Sequence, residues 1–417
     1  MSRLGKNIGY LSLSQAANYL LPLVTLPYIT RVIGPEKYGL VEFATVSTLY
    51  FSALVTYGFT FTATRKIAEL GENWARISKV YSVVMLAKFL LLLLSSALFA
   101  VLLFTVPEYQ SEWKMMLFAF PFVIGWGLYP DFLFQGRQKL GVIASLNLGI
   151  KSAGAILIFT LIHEKADYYL ICGINSFTQL MAALISLFYG HKIYPKLRFE
   201  WAGFRLVKAY LRSGFYIFAS HFFTRVYTFG SILFLGFLLP DKELGLFSAA
   251  MKLIVVGQSF LFSPMGGALY PHLAQLAKKD LGTYQQARRK FQWGMILITS
   301  LAAGVIMLFP EFFVHLVFGE AYIEVAPVLA LMAPVLILTS LSHFGMKQGL
   351  MVLKADAYNL WVVLLAGLAS IGLYYWLIHD YGLTGAAWAK LYVEGILALG
   401  AMFFFQKVWN QRQAQIR

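Results

Sequence analysis

Eight charged side chains fall inside stretches of this chain that are otherwise apolar: Glu42, Lys88, Lys151, Arg225, Lys252, Lys347, Lys390 and Glu394. A charge at the centre of a bilayer costs roughly 2.5–3.5 kcal/mol by insertion scales, so such residues are expected to face a watery interior rather than lipid. Their spacing adds detail. Lys390 and Glu394, His221 and Arg225, His343 and Lys347, and Asn147 and Lys151 are each four apart, which on a helix puts both members on one face. Lys390 with Glu394 has two readings: an ion pair that offsets its own insertion cost, or a titratable carboxylate held by a lysine and suited to proton or sodium coupling. The other pairs leave net positive charge, and a cationic cavity open to water suits an anionic group such as a pyrophosphate. Arg31 and Arg65 close the first two apolar stretches, where each is either a phosphate contact at one mouth or an interfacial anchor. The candidate substrate-binding residues are Arg31, Arg65, Lys151, Arg225, Lys252, Lys347 and Lys390. The candidate ion-coupling residues are Glu394 and Glu42. For Glu42 and Lys88, near helix ends, snorkelling to the interface is the favoured alternative.

The elements that must position these groups follow from composition. Of 417 residues, 59% are hydrophobic and 13% charged, against about 25% charged in a soluble domain. Mean hydropathy is +0.69. The bias runs along nearly the whole chain, which excludes a soluble enzyme and a disordered protein. The single cysteine, Cys172, excludes a disulfide framework and a thiolate zinc cluster. Runs such as Phe89–Phe104 are continuously apolar rather than alternating, which excludes transmembrane strands. The expected fold is an all-α polytopic membrane protein. Twelve apolar segments are read, near 7–33, 38–64, 77–105, 113–135, 140–162, 167–190, 206–238, 244–276, 290–309, 325–353, 357–378 and 383–407. The first contains Pro22 and Pro27 and runs too long for a signal peptide, so it is taken as a bent span.

Of the 34 Lys and Arg residues, 23 fall on the side holding both termini, five on the other and six within spans. This asymmetry puts both termini in the cytoplasm. The net charge of +15 is then mostly topology plus attraction to anionic lipid, and nucleic acid is not a partner this pattern calls for. Residues 1–192 form a first lobe of six helices and 213–417 a second, joined by a cytoplasmic linker at 193–212. The stretch Tyr194–Gly214 reads as an interfacial helix, with Trp201, Phe204 and Leu211 between Lys196, Arg198, Arg205, Lys208 and Arg212. Gly34-Pro35-Glu36-Lys37-Tyr38-Gly39-Leu40 aligns, with one insertion, to Leu239-Pro240-Asp241-Lys242-Glu243-Leu244-Gly245-Leu246. Such a match is consistent with two parallel six-helix repeats, whose sites lie between the lobes.

The stretch LLPLVTLPYITRVIGPEKYG at Leu20–Gly39 resembles the start of the Wzx-type flippases. These form part of the polysaccharide transporter branch of the multidrug/oligosaccharidyl-lipid/polysaccharide exporter superfamily. Tyr129-Pro130-Asp131-Phe132-Leu133-Phe134-Gln135-Gly136, read as a loop after the fourth span, and Tyr381-Gly382-Leu383-Thr384-Gly385-Ala386-Ala387 are similar to family stretches too. Family members often carry a Glu after the first of these; here Arg137-Gln138-Lys139 follows. The resemblance covers the whole chain. It implies two six-helix lobes around a central cavity and translocation of an undecaprenyl-pyrophosphate-linked oligosaccharide between leaflets of the bacterial inner membrane by alternating access. The implied partners are that lipid-linked oligosaccharide, membrane lipids, H+ or Na+ as coupling ion, and a polysaccharide polymerase with chain-length proteins. No bond is made or broken, so no catalytic residue, metal or cofactor is expected.

Two rival readings make different demands. A small-molecule antiporter of the multidrug branch wants acids for cationic drugs, whereas the spans hold six bases to two acids. A membrane glycosyltransferase or polymerase wants a large outer loop or a cluster of acids, and the outer loops here are short. The Gly-x-x-x-x-Gly-Lys-Ser/Thr phosphate loop does not occur, which argues against ATP hydrolysis by this chain.

Overall fold

The computed structural model describes residues 3–201 and 203–414, with side chains from Leu21 onward apart from those of 202, 263, 264 and 266–268. Among the described residues there is no strand. The chain divides into two compact units, Met1–Phe222 and Phe223–Arg417.

The first unit opens with α1, Arg3–Thr56, interrupted at Gly34 (φ 75°, ψ 172°). A straight helix of this length would span about 80 Å, far more than the roughly 30 Å of hydrocarbon. The break has to fall where an L side chain is strained, and glycine occupies it. Tyr28 before the break donates to the Ile162 carbonyl at 2.5 Å. Lys37 after it lies 5.0 Å from the Tyr168 ring. Both arms therefore meet the same connection, that between α8 (Leu140–Leu161) and α9 (Tyr168–Ile193). Between α1 and α8 run α2 (Phe59–Glu69), α3 (Trp74–Thr105) and four short pieces. These are α4 (Pro107–Ser111), α5 (Trp113–Ala119), α6 (Pro121–Leu128) and α7 (Asp131–Gly136). Pro107 and Pro121 start α4 and α6, where a missing N–H costs nothing. Ser176 repairs the break at Pro121: its hydroxyl donates to the Ala119 carbonyl at 2.9 Å and accepts from the Phe122 N–H at 3.1 Å. Without water in the bilayer such breaks must be satisfied by neighbouring side chains.

Helix α10 (Phe204–Leu238) crosses from the first unit into the second. The interfacial helix expected over Tyr194–Gly214 is not formed as such. Tyr194–Trp201 is non-helical, and the helix starts at Phe204 and continues unbroken into the membrane segment. Pro195 and Gly203 bracket the non-helical stretch, and both disfavour helix.

The second unit contains α11 (Asp241–Lys279), α12 (Leu281–Leu308), α13 (Pro310–Val317), α14 (Ala326–Met332) and α15 (Val335–Gly345). A π turn, Met346–Leu350, follows α15. The last helix, α16 (Asp356–Ala414), breaks at Gly382 (φ 56°, ψ −132°) and doubles back. Tyr374 donates to the Tyr227 carbonyl at 2.8 Å while Lys390, sixteen residues on, lies 5.9 Å from the Tyr227 ring. A Cβ on Gly400 would sit 3.7 Å from Val362. On a straight helix those two positions would be nearly 60 Å apart.

Nine helical stretches among the described residues are long and apolar enough to cross a membrane, or ten when the bent pair Glu320–Met332 and Val335–Leu350 is one span. The expected twelve is not the number these lengths give, because the first two segments share α1 and the last two share α16. Phe104, Phe188, Leu308 and Leu399 are each about three-quarters exposed. Large apolar side chains standing outward all along such helices are covered by lipid in place of water.

Candidate functional site

The second unit holds a buried polar cluster. Lys390 and Glu394, one turn apart on the returning arm of α16, pair at 2.9 Å with side chains 2% and 7% exposed. From α15, Thr339 donates to Glu394 Oε2 at 3.5 Å, a long bond, and from α11 Gln258 Nε2 donates to Thr339 Oγ1 at 2.7 Å. The Tyr227 ring of α10 faces the ammonium. Four helices thus contribute to the surroundings of one buried ion pair. Two ions in a low-dielectric interior persist only when close pairing and further hydrogen bonds offset their lost hydration. Gln258 and Thr339 were missed in reading the sequence, since neutral polar residues in an apolar span carry no charge signal.

Arg225, Lys252 and Lys347 lie on α10, α11 and the π turn of the same unit, each half-buried. His343 precedes Lys347 and stacks on Phe262, ring centroids 5.3 Å apart. The π turn widens the helix between His343 and Lys347, so their simple four-residue register is loosened.

In the first unit the expected residues differ in burial. Arg31 is exposed, Lys151 half-buried and Glu42 buried. Arg65 is exposed and held in a surface ion pair with Glu69 at 3.1 Å. Lys88 does not snorkel. It is 1% exposed, and its ammonium donates to the Tyr129 carbonyl at 2.7 Å, with Asp131 close enough to act on it electrostatically. Asp131 is itself buried and accepts from Thr60 Oγ1 at 2.7 Å. The physical reason is the Tyr129–Pro130 break between α6 and α7: it leaves carbonyls without helical donors, and a buried lysine supplies one. The stretch after Tyr129 is accordingly a buried helix, α7, and not a loop.

Arg137, in place of the expected acid, clamps the α2–α3 connection. It donates to the Gly71 carbonyl and to Glu72 Oε1 at 2.5 Å, and stacks over Trp74 at 5.0 Å. The Arg137 hydrogen bond holds the Glu72 carboxyl below its ordinary pKa. Among the described residues no group of three His, Cys, Asp or Glu side chains is placed to hold a metal ion.

Long apolar helices, glycine-broken hairpins and buried charges define a multi-pass membrane protein with the fold of known transporters. Two solved structures share that fold along nearly the whole chain. One is titled an inward-facing multidrug resistance MATE family transporter of the MOP superfamily (TM-score 0.73, 13% identity, 98% of this chain and 99% of that one). The other is titled the lipid II flippase MurJ in an inward closed conformation (TM-score 0.73, 12% identity, 97% and 88%). The family model described as "Polysaccharide biosynthesis protein" matches residues 4–277, and the chain belongs to that family. A relative from Escherichia coli (strain K12), named "Putative O-antigen transporter", is 27% identical over 410 residues, 96% of each chain. One of the same name from Shigella dysenteriae is 31% identical over 276 residues, 65% of this chain and 67% of its own.

Proposed function

We propose that this protein is a flippase that carries undecaprenyl-pyrophosphate-linked oligosaccharide repeat units from the cytoplasmic to the periplasmic leaflet of the bacterial inner membrane, with both termini cytoplasmic. The observation that carries the reading is the surplus of base over acid within the apolar spans of a polysaccharide-family chain, six to two. Half-buried Lys151, Arg225, Lys252 and Lys347 replace part of the water lost by a pyrophosphate as it leaves bulk solvent. The polyprenyl tail stays in lipid while the head group crosses by alternating access. Glu394 takes up and releases the coupling ion, H+ or Na+, its charge balanced by Lys390. Glu42 is a second acid of that kind, and Arg31 and Arg65 guide the head group at the two mouths. Completed repeat units pass to a polymerase and its chain-length proteins.

Deletion in the native host tests this. Surface polymer is expected to disappear while complete lipid-linked repeat units accumulate in a form protected from a glycosidase added to the periplasm. Units that the glycosidase cuts would place the defect after translocation. Normal polymer with raised drug sensitivity would replace the reading with a drug antiporter.

A further inference from the structure

A cavity of about 240 Å³ opens on the side of the first unit, lined by Met85, Leu86, Phe89 and Leu92 of α3, Leu128 of α6 and Phe199. Its lining is entirely apolar, and Phe89 and Phe199 are both more than half exposed. Phe199 belongs to the non-helical connection before α10, so its place here has to be built. Two serines of α3 build it. Ser78 Oγ accepts from the Arg198 N–H at 3.0 Å and Ser82 Oγ accepts from the Glu200 N–H at 2.8 Å. These two bonds flank Phe199 in sequence and dock the connection along the helix directly below the cavity.

The same helix carries charge at the right depth. Lys79, Ser82, Leu86 and Phe89 follow i, i+3, i+7 and i+10 spacing, one stripe of α3. Lys79 is exposed, as is Arg198 beside Phe199. Met85 to Leu92 lie roughly 9–20 Å above Lys79 along the helix axis. That is the offset between a phosphate at the membrane surface and the middle of an acyl chain. The end of α9, the docked connection and the start of α10 supply Lys192, Lys196, Arg198, Arg205, Lys208 and Arg212 against one acid, Glu200. A base-rich surface of this kind attracts anionic lipid.

We infer that this cleft is a binding site for an anionic glycerophospholipid of the leaflet that these basic segments face, one acyl chain in the cavity under Phe199 and the phosphate against Lys79 and Arg198. The site lies wholly within the first unit and is independent of the transport reading. Its occupant holds the connection Tyr194–Trp201 onto α3, and so fixes where α10 begins.

The test is native mass spectrometry of the delipidated full chain titrated with phosphatidylglycerol or phosphatidylcholine, alongside melting temperature in detergent. Phosphatidylglycerol is expected to bind at least fivefold more tightly and to raise the melting temperature. The double variant Lys79→Gln, Arg198→Gln alters only exposed side chains, and it is expected to remove that preference while leaving phosphatidylcholine unchanged. Leu86→Trp, which fills the cavity, is expected to weaken both lipids; if it does not fold, the exposed double variant decides alone. Equal binding of the two lipids, or a preference that survives the double variant, overturns the proposal. So does displacement of phosphatidylglycerol by a polyprenyl phosphate at a lower concentration, which would assign the cleft to the tail of a polyprenyl-linked substrate.

Discussion

The Lys88 ammonium donates to the Tyr129 carbonyl oxygen at 2.7 Å, across 41 residues of sequence, with both groups sealed from solvent. The bond ties α3 to the point where the fourth apolar segment breaks. The second unit treats its own break in a similar way. From α12, Arg288 donates to the Phe344 carbonyl at 3.2 Å and Tyr284 to the Gln348 carbonyl at 2.8 Å, on either side of the α15–π junction. In each unit a buried donor from a long helix satisfies backbone that a regular helix would have satisfied itself.

Removing the Lys88 donor is therefore expected to be costly. Lys88→Met leaves the buried Tyr129 carbonyl without its donor and takes away the positive charge that acts on the buried Asp131 carboxylate, a loss of about 3 kcal/mol. Lys88→Met combined with Asp131→Asn is expected to recover part of it, because the uncompensated charge is gone. Melting temperatures of wild type, Lys88→Met and the double variant in one detergent measure this, and equal values for wild type and Lys88→Met would refute the role.

The Lys390–Glu394 pair separates stability from transport. Glu394→Gln leaves a buried ammonium without a counter-ion and is expected to lower stability by about 3 kcal/mol. Lys390→Met with Glu394→Leu removes both charges, and stability is expected to return to within about 1 kcal/mol of wild type. Under the coupling proposal the double variant still fails to export surface polymer. Full export by this stable variant at every pH would remove Glu394 from the mechanism.

Two glycines of α16 are expected to respond in opposite directions. Gly382 sits at φ 56°, ψ −132°, and an added Cβ would meet the Glu243 carboxylate at an ordinary 3.8 Å, so the cost of Gly382→Ala is backbone strain, about 2 kcal/mol. Gly400 is helical and its added Cβ meets Val362 at an ordinary 3.7 Å. Gly400→Ala is then neutral or stabilising by up to about 1 kcal/mol. Thermal or denaturant unfolding of the two variants checks the contrast.

The Arg137–Glu72 clamp sets a pH dependence outside the membrane segments. The hydrogen bond from Arg137 lowers the Glu72 pKa in the folded protein. A depressed carboxylate contributes stability that is present above its unfolded pKa, about 4.3, and is lost as pH falls through the lower folded value. Glu72→Gln is expected to melt below wild type at neutral pH, with the gap closing only under acid. A gap that does not change between pH 7 and pH 3 would show that the ion pair is not its source.

Much of this protein was legible in its sequence. Composition and long apolar runs determined an all-α membrane protein, because a bilayer admits few other ways to satisfy a backbone. Four-residue spacing determined that Lys390 and Glu394 would share a face, because that is a property of one helix alone. Gly34 and Gly382 were visible as residues of family-like motifs, but the doubling back of α16 was placed only by contacts between Tyr227, Tyr374 and Lys390. Lys88 was misread because burial depends on what packs against a helix, and Tyr129 and Asp131 lie some forty residues away. Gln258 and Thr339 were invisible for the same reason: a neutral polar side chain takes on meaning only when another helix sets a buried carboxylate beside it. Local chemistry and period determine which segments cross a membrane and which charges line up on each. Which charge is paired, and which break is repaired, is decided by long-range packing that brings separate helices into contact.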